Sequence, residues 1–131
     1  MSSETCTVCV IDDDSSVRHS LVALLQCFDI DVLAFESAEH YLAANVVQRI
    51  VFFVLDYRLP GMTGIQLLDH LREAGWEGAA AIVSGNVDIN QLENMNVNES
   101  VHFLTKPSDP NRLIEIISSE LALRCGKPST P

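Results

Sequence analysis

VCVIDDD, residues 8–14, is a short apolar run that ends in three consecutive carboxylates. Three further runs have the same design, and each ends in a polar or charged residue: IVFFVLD (50–56), AAAIVS (79–84) and VHFLTK (101–106). Parallel strands of an open α/β sheet bring their carboxyl ends to one edge, where ligands bind. If the four runs are parallel strands, acids, a hydroxyl and an ammonium group meet in one cleft. Such a cleft suits a divalent cation and a phosphoryl group.

The segments between these runs show the period of helices. Apolar residues recur at steps of three and four, most clearly after the first run: Val17, Leu21, Leu24, Leu25 and Phe28. Helix-start signals stand at three further points: Ser37 as an N-cap, Thr63 with Gln66 as a capping box, and Asp109 before Pro110. A short strand near 31–35 and a short helix near 89–95 complete the pattern.

Five strands that alternate with five helices indicate an α/β fold, in which helices cover both faces of a parallel five-stranded sheet. The predicted fold class is flavodoxin-like, a doubly wound (βα)5 unit with strand order 2-1-3-4-5. In that order the first and third strands are neighbours. Asp12, Asp13 and Asp56 then lie side by side, with Ser84 and Lys106 on the far flank.

Length, composition and charge narrow the classes of function. The chain of 131 residues is long enough for one domain with a real core. We assign residues 1–124 to this domain and residues 125–131 to a flexible C-terminal tail or the start of a linker. A net charge of −10 opposes binding to a polyanion, so direct contact with nucleic acid is not expected.

Neither a membrane segment nor a secretion signal is evident in the sequence. No apolar run approaches the ~18–20 residues that span a bilayer. The amino-terminal MSSETC lacks the basic-then-apolar pattern of a signal peptide. The sequence therefore predicts a cytoplasmic protein without membrane contact.

The four cysteines are predicted to be reduced and mostly buried. Cys6 and Cys9 are spaced like a metal-binding pair, but residues three apart on a strand point to opposite faces. Cys27 falls in an apolar helical pattern, and Cys125 is assigned to the tail.

Four motifs, in this order and spacing, are similar to those of a known family: VCVIDDDSSVRHSL (8–21), VLDYRLPGMTGIQLL (54–68), IVSG (82–85) and FLTKP (103–107). They resemble the receiver domain of two-component response regulators, and the resemblance covers about residues 5 to 124. Any one motif is weak, but together they are specific.

The resemblance implies a phosphorylation site that depends on a cation. Asp56 matches the phosphoacceptor, Asp13 a direct ligand of Mg²⁺, and Asp12 its partner, which often acts through water. The backbone carbonyl of Arg58 matches the third protein ligand, and Mn²⁺ is an alternative cation.

The resemblance also implies a conformational switch. Ser84 matches the hydroxyl that turns toward the phosphoryl group, and Lys106 matches the lysine that contacts it. Phe103 matches the aromatic that rotates inward on activation. Pro107 matches a proline whose bond to the preceding residue is usually cis.

Partners follow from the same resemblance. A sensor histidine kinase or a phosphotransfer protein would donate the phosphoryl group. An output domain or a downstream protein would respond, in control of transcription, and phosphorylation-dependent homodimerisation is a hypothesis. The domain would catalyse only its own phosphorylation and dephosphorylation, so its role is signalling rather than enzymatic turnover.

One segment departs from the family pattern. Residues 86–100, NVDINQLENMNVNES, occupy the place of the fourth helix of the family, yet they are rich in Asn, which favours caps and turns. We predict a short, irregular or mobile helix there. Arg58 and Asn86 flank the phosphoryl group in such domains and are predicted to tune its lifetime.

Two alternatives stay open at the level of sequence. Asp12, Asp14 and Ser16 fit the D-x-D-x-[ST] pattern of haloacid-dehalogenase-type phosphatases, in which Asp12 would be the nucleophile and Asp14 the general acid. No acidic pair follows Lys106 in the expected metal-binding place, which counts against that class. The other alternative is a receiver fold that serves as a docking module without phosphorylation.

Overall fold

The computed structural model describes residues 6–85, 100–106 and 109–125. Pro107, Asn86 and the predicted helix near 89–95 lie outside the described residues. The five strands are β1 Cys6–Ile11, β2 Asp31–Phe35, β3 Arg49–Asp56, β4 Ala79–Ser84 and β5 Val101–Thr105. The described helices are α1 Ser15–Cys27, α2 Ala38–Ala43, α3 Gly64–Glu73 and the C-terminal helix Pro110–Cys125.

The strands form one parallel sheet in the order β2-β1-β3-β4-β5, as predicted. The doubly wound α/β fold class is confirmed with it. The central strands are apolar over most of their length because helices cover both faces of a parallel sheet. In β3 every residue from Ile50 to Asp56 is buried.

Two hydrophobic cores lie on the two faces of the sheet, and β3 supplies both by alternation. Phe52 and Val54 face the core shared with α1 and the C-terminal helix, where Leu25 and Ile117 are fully buried. Phe53 and Leu55 face the other core, which α3 covers with residues such as Leu67 and Leu68.

Local signals in the sequence account for where the helices begin. The carboxylate of Asp14 accepts hydrogen bonds from the backbone N–H groups of Ser16 and Val17, at 2.9 and 3.2 Å, and so caps α1. Ser37 caps α2, and Thr63 forms a complete capping box with Gln66 at the start of α3. These caps satisfy donors that have no partner inside the helix.

A row of aromatic rings fills the core beneath α2 and α3. Phe35, Tyr41, Phe53 and Trp76 contact one another edge to face, with successive ring centroids 5.5, 5.2 and 4.9 Å apart. The indole N–H of Trp76 donates to the carbonyl of Ile50 at 2.7 Å. The sequence reasoning did not single out this cluster.

The expectation that all four cysteines are reduced is wrong for two of them. Cys6 and Cys125 form a disulfide, with their Cα atoms 6.5 Å apart. The C-terminal helix continues to Cys125, one residue beyond the predicted end of the domain, and its sulfur lies at the start of β1. Cys9 is buried and free, while Cys27 is free and exposed. Cys6 and Cys9 do face opposite cores, as predicted.

Among the residues described, no helix is both long and apolar enough to cross a bilayer.

Candidate functional site

Three carboxylates meet at the carboxyl edge of the sheet. Ile11 of β1 pairs with Leu55 of β3, so the next residues, Asp12 and Asp56, are neighbours. Asp13 follows directly, and one carboxylate oxygen of each acid lies within 4.8 Å of the other two. Asp12 and Asp56 are only 4% and 7% exposed, whereas Asp13 is exposed to solvent. The site is therefore a half-open acidic cleft with two buried walls.

Lys106 supplies the positive charge of this cleft. Its Nζ atom lies 2.9 Å from Oδ2 of Asp56 and 3.9 Å from Oδ2 of Asp12. The backbone N–H of Lys106 donates to the carbonyl of Ser84 at 2.8 Å, which anchors the residue just after β5. Burial alone would lower the pKa of Lys106, but the hydrogen bond to Asp56 and the nearby carboxylates more than offset this and raise it. The side chain is therefore a permanent cation at neutral pH.

Backbone groups and one arginine fix the two buried acids. Oδ1 of Asp56 accepts from the N–H of Arg58 at 3.2 Å, and Oδ1 of Asp12 accepts from the N–H of Asp14 at 2.9 Å. Arg18 reaches back from α1 and donates to the carbonyl of Asp12 at 2.8 Å. The sequence reasoning missed Arg18, because its partner is a backbone carbonyl and no residue pattern marks such a contact.

The surroundings of Asp12 disfavour the ionised form of its carboxyl group. Burial, followed by the charges of Asp56 and Asp13, raises its pKa from 3.8 to about 6, although the N–H of Asp14 and the cation of Lys106 act in the opposite direction. Grouped carboxylates of this kind favour a bound cation, because the cation removes their mutual repulsion.

The donor set fits a hard divalent cation. Mg²⁺ prefers oxygen ligands, keeps several waters and is commonly held by one or two carboxylates. Asp12, Asp13 and Asp56 supply such oxygens at one point, with Asp13 open to water. Among the described residues no other group of three or more His, Cys, Asp or Glu side chains meets in this way.

The remaining predicted residues lie around this cleft. Ser84 ends β4 and is 2% exposed; since Asp56 pairs with Val83, Ser84 stands one position further along the edge. Phe103 lies in β5 opposite Ile82, half-buried against the α3-side core.

The turn between β3 and α3 is tied closely to Asp56. The N–H of Tyr57 donates to the carbonyl of Val83, and the N–H of Gly64 donates to the carbonyl of Tyr57, both at 2.8 Å. A Cβ atom at Gly64 would lie 2.7 Å from the carbonyl oxygen of Asp56. Only glycine lets the start of α3 approach the acidic strand end this closely.

A cavity of about 610 Å³ opens beside the acids. Asp12, Asp56 and Lys106 form its polar end, and Val17 and Leu113 belong to its apolar wall between α1 and the C-terminal helix. The cleft therefore has room for a group larger than a metal ion.

The phosphatase alternative does not match this geometry. Its general acid would be Asp14, but the carboxylate of Asp14 is engaged as the cap of α1. Lys106 instead pairs with Asp56, on the other strand.

A sequence profile of the response regulator receiver domain matches residues 8–118. The chain belongs to this family. Two curated relatives are 34% identical: the transcriptional regulatory protein TdiR of Thauera aromatica, over 89% of this chain and 52% of its own length, and the transcriptional regulatory protein FixJ of Azorhizobium caulinodans, over 90% and 56%. This receiver domain thus spans about half the length of the curated relatives it matches.

Solved structures agree with the assignment. A response regulator receiver protein from Pseudomonas putida is 27% identical, with a TM-score of 0.78 over 91% of this chain and all of that one. The response regulator StyR is 28% identical, with a TM-score of 0.76 over 93% of this chain and 62% of its own. A CheY-like receiver domain from Methanospirillum hungatei, 22% identical with a TM-score of 0.79 over 93% of this chain and 98% of its own, supports the fold alone.

Proposed function

We propose that this receiver domain accepts a phosphoryl group on Asp56 from the phosphohistidine of a sensor histidine kinase or a phosphotransfer protein. The supporting observation is the ion pair of 2.9 Å between Asp56 and Lys106 at the buried end of an acidic cleft. A nucleophile, a counter-charge for the phosphoryl oxygens and a cation-binding set of oxygens lie together there, and phosphoryl transfer needs these three parts.

In the proposed reaction a carboxylate oxygen of Asp56 forms a bond to phosphorus while the bond from phosphorus to the donor's imidazole nitrogen breaks. The donor imidazole carries a proton on its other ring nitrogen, so it keeps the electron pair of the broken bond and leaves as the neutral ring. Lys106 already lies beside the acceptor and would pair with the new phosphoryl oxygens. Arg58 holds the second oxygen of Asp56 through its N–H, which orients the carboxylate for attack.

Asp12, Asp13, Asp56 and the backbone carbonyl of Arg58 are the proposed ligands of Mg²⁺, or of Mn²⁺ in its place. When bound, the cation neutralises charge that develops on the phosphoryl group. The oxygens of the three carboxylates are close enough for this shared task. Arg18 fixes the backbone at Asp12 and so positions one of the proposed ligands.

The proposed switch starts from the charge added to Asp56. Ser84 would turn its hydroxyl toward the phosphoryl group, and Phe103 would move into the space that this releases, with the bond between Lys106 and Pro107 in the cis form. Ser84 and Phe103 lie on adjacent paired strands, β4 and β5, which supports a coupled movement. Such a local charge change biases a two-state element. The same cleft is proposed to catalyse hydrolysis of the aspartyl phosphate, so that the signal decays.

The output of this switch is proposed to be control of transcription. The curated relatives TdiR and FixJ are named transcriptional regulatory proteins, and each is about twice as long as the matched region. We propose that an attached output domain or a downstream protein reads the face around β5 and the C-terminal helix. This domain itself makes no contact with nucleic acid or membrane in the proposal, and it acts in the cytoplasm.

Intact mass spectrometry tests the acceptor. The wild type, incubated with a small acyl phosphate and Mg²⁺, should gain the mass of one phosphoryl group, and the gain should disappear with EDTA. Asp56→Asn should gain nothing. Asp14→Asn is the matched control, because Asn keeps the cap of α1 and the residue lies outside the acceptor pair; it should be phosphorylated like the wild type.

Phosphorylation of Asp56→Asn to the wild-type level would contradict the assignment of the acceptor. If all the proteins are folded and none gains mass, the result would point to a receiver fold that works as an unphosphorylated docking module.

Phosphorylation-dependent homodimerisation is part of the proposal and has a separate test. Size exclusion with light scattering should show a larger mass when a beryllium fluoride mimic of the phosphoryl group is added with Mg²⁺. A mass that stays that of the monomer, at a protein concentration well above the cellular range, would remove dimerisation from the mechanism and leave the phosphorylation step standing.

A further inference from the structure

The first and last described residues of the chain meet at the edge of the sheet opposite to the acidic cleft. Cys6 opens β1, Cys125 closes the C-terminal helix, and the two are joined by a disulfide across a sequence separation of 119 residues. We propose that this pair is a reversible redox site, which exchanges with a small disulfide such as oxidised glutathione. It goes beyond the proposed phosphorylation and does not depend on it.

The surroundings of the two sulfurs favour exchange. Both cysteines are half-buried at the rim of the core rather than enclosed within it. The guanidinium of Arg49 lies 3.7 Å from the sulfur of Cys6, and a cation at that distance stabilises the thiolate that attacks or leaves in exchange. In the proposed cytoplasmic location thiols are kept reduced, and disulfides found there are mostly transient or redox-sensing.

Neither of the other two cysteines has both exposure to solvent and a second sulfur to bond. Cys9 is fully buried, and burial raises the pKa of its thiol well above the usual range, which keeps it protonated and unreactive. Cys27 is exposed but is a free cysteine, without a second sulfur to close a bond. Formation of an internal disulfide is therefore confined to one pair.

The proposed exchange has two steps. The thiolate of one cysteine attacks a sulfur of oxidised glutathione, which forms a mixed disulfide and releases one glutathione thiolate. The second cysteine then attacks the protein sulfur of this mixed disulfide and releases the other glutathione. Two electrons and two protons pass from the protein to glutathione, and excess reduced glutathione drives the same steps backwards.

Reduction would loosen only the last turn of the C-terminal helix. Other contacts still hold that helix: Arg124 bonds the carbonyl of Glu77 and the carboxylate of Glu120, both at 3.0 Å, and Glu120 lies 3.1 Å from His102. Cys6 and Asp12 stand at opposite ends of β1, so the bond is remote from the acceptor. The proposed effect is on whatever follows or contacts the helix end, with the acceptor chemistry unchanged.

Thiol counting across glutathione buffers tests the proposal. The full chain is equilibrated at a series of ratios of reduced to oxidised glutathione, quenched in acid, denatured and alkylated with N-ethylmaleimide, and its intact mass is measured. The oxidised protein should carry two labels, on Cys9 and Cys27, and the reduced protein four. The conversion should reverse when the buffer is exchanged, with far-ultraviolet circular dichroism unchanged throughout.

Two variants and one further readout make the outcome decisive. Cys27→Ser should convert between one and three labels at the same ratios, whereas Cys125→Ser should never form the internal bond. On reduction, hydrogen exchange should accelerate more in the last turn of the C-terminal helix than in β3, whose exchange follows only the change in global stability. The proposal would be overturned by four labels at every glutathione ratio, or by two labels at every ratio unless the chain is unfolded before equilibration. Unchanged hydrogen exchange at the end of the C-terminal helix would also overturn it.

Discussion

Asp12 is a carboxyl group that the fold removes from water and sets beside two further acids. Burial and these charges raise its pKa from 3.8 to about 6. Between these two values the native state binds more protons than the unfolded state, so the contribution of Asp12 to stability falls as the pH rises. A bound cation offsets this cost, because it pairs with the ionised form.

Binding of Mg²⁺ should therefore depend on pH in a window where an ordinary carboxyl group does not titrate. Protonated Asp12 must release its proton before it can serve as a ligand, so affinity should fall as the pH is lowered from about 7.5 to about 5. With a pKa of about 6 the expected loss at pH 5 is roughly tenfold. Isothermal titration calorimetry at several pH values measures it.

Asp12→Asn is the control for this titration. Its affinity should be lower than that of the wild type at neutral pH, and its dependence on pH between about 7.5 and 5 should be nearly flat. If the affinity of the variant for Mg²⁺ depended on pH as steeply as that of the wild type, the titrating proton would belong to a group other than Asp12.

The site residues could be predicted from the sequence where a polar or charged side chain directly follows a predicted strand. Asp12, Asp13, Asp56 and Lys106 each follow an apolar run, and topology alone brings them together. Arg18 was not predicted, because its contact is with a backbone carbonyl, and any residue type offers one. The roles of Ser84 and Phe103 in switching remain predictions.

The turn between β3 and α3 is the element that joins Asp56, the proposed acceptor, to the helical layer. Thr63 and Gln66 fix the start of α3 through their reciprocal capping bonds at 3.1 and 2.9 Å. Gly64, the first helical residue, bonds the carbonyl of Tyr57 and lies against the backbone of Asp56. A change at this helix start should therefore reach the acceptor.

Gly64→Ala should destabilise the protein and lower phosphorylation of Asp56. The new Cβ would meet the carbonyl oxygen of Asp56 at 2.7 Å, and this atom is backbone, which cannot move aside cheaply. We expect a loss of about 1–3 kcal/mol in the free energy of unfolding, as for other overpacked sites. Urea denaturation and the acyl phosphate assay measure the two effects.

Gly85→Ala is the matched control, since a Cβ there would have only ordinary contacts with Lys106, the nearest at 3.8 Å. The control should keep both stability and phosphorylation. Equal urea midpoints for Gly64→Ala and the wild type would show that α3 shifts to accept the methyl group.

The helices and strands could be predicted from the period of their apolar residues and from the capping, Gly and Pro residues at their ends. β2 lies at the predicted residues 31–35, and the other four strands fall on the apolar runs from which they were predicted. The C-terminal helix begins at Pro110 as predicted, since Asp109 caps it. It ends at Cys125, one residue beyond the predicted end of the domain.

At the scale of the whole molecule, the disulfide closes almost the entire chain into one covalent loop. No pattern of spacing predicts a bond between residues 119 positions apart. It becomes evident only when the fold places the amino end of β1 beside the end of the C-terminal helix.

Loss of this bond should lower the stability of the whole domain. A cross-link restricts the unfolded chain more than the folded one, so Cys125→Ser should reduce the free energy of unfolding by about 2–4 kcal/mol. Urea denaturation with and without a reductant measures it. Cys27→Ser should unfold like the wild type under both conditions.

The wild type in reductant should approach the midpoint of Cys125→Ser, and reductant should leave that variant unchanged. A wild-type midpoint that is independent of reductant would mean that the bond contributes nothing to stability in solution.

The single tryptophan of the chain decides which optical signals the protein can give. Trp76 is bonded to the carbonyl of Ile50 at the start of β3, beneath the guanidinium of Arg72 at 4.8 Å, whereas Asp56 stands at the end of the same strand. Its fluorescence should therefore follow unfolding closely and remain almost silent when a cation or a phosphoryl group arrives. Direct spectroscopic readout of the acceptor will need a fluorophore introduced at the other edge of the sheet.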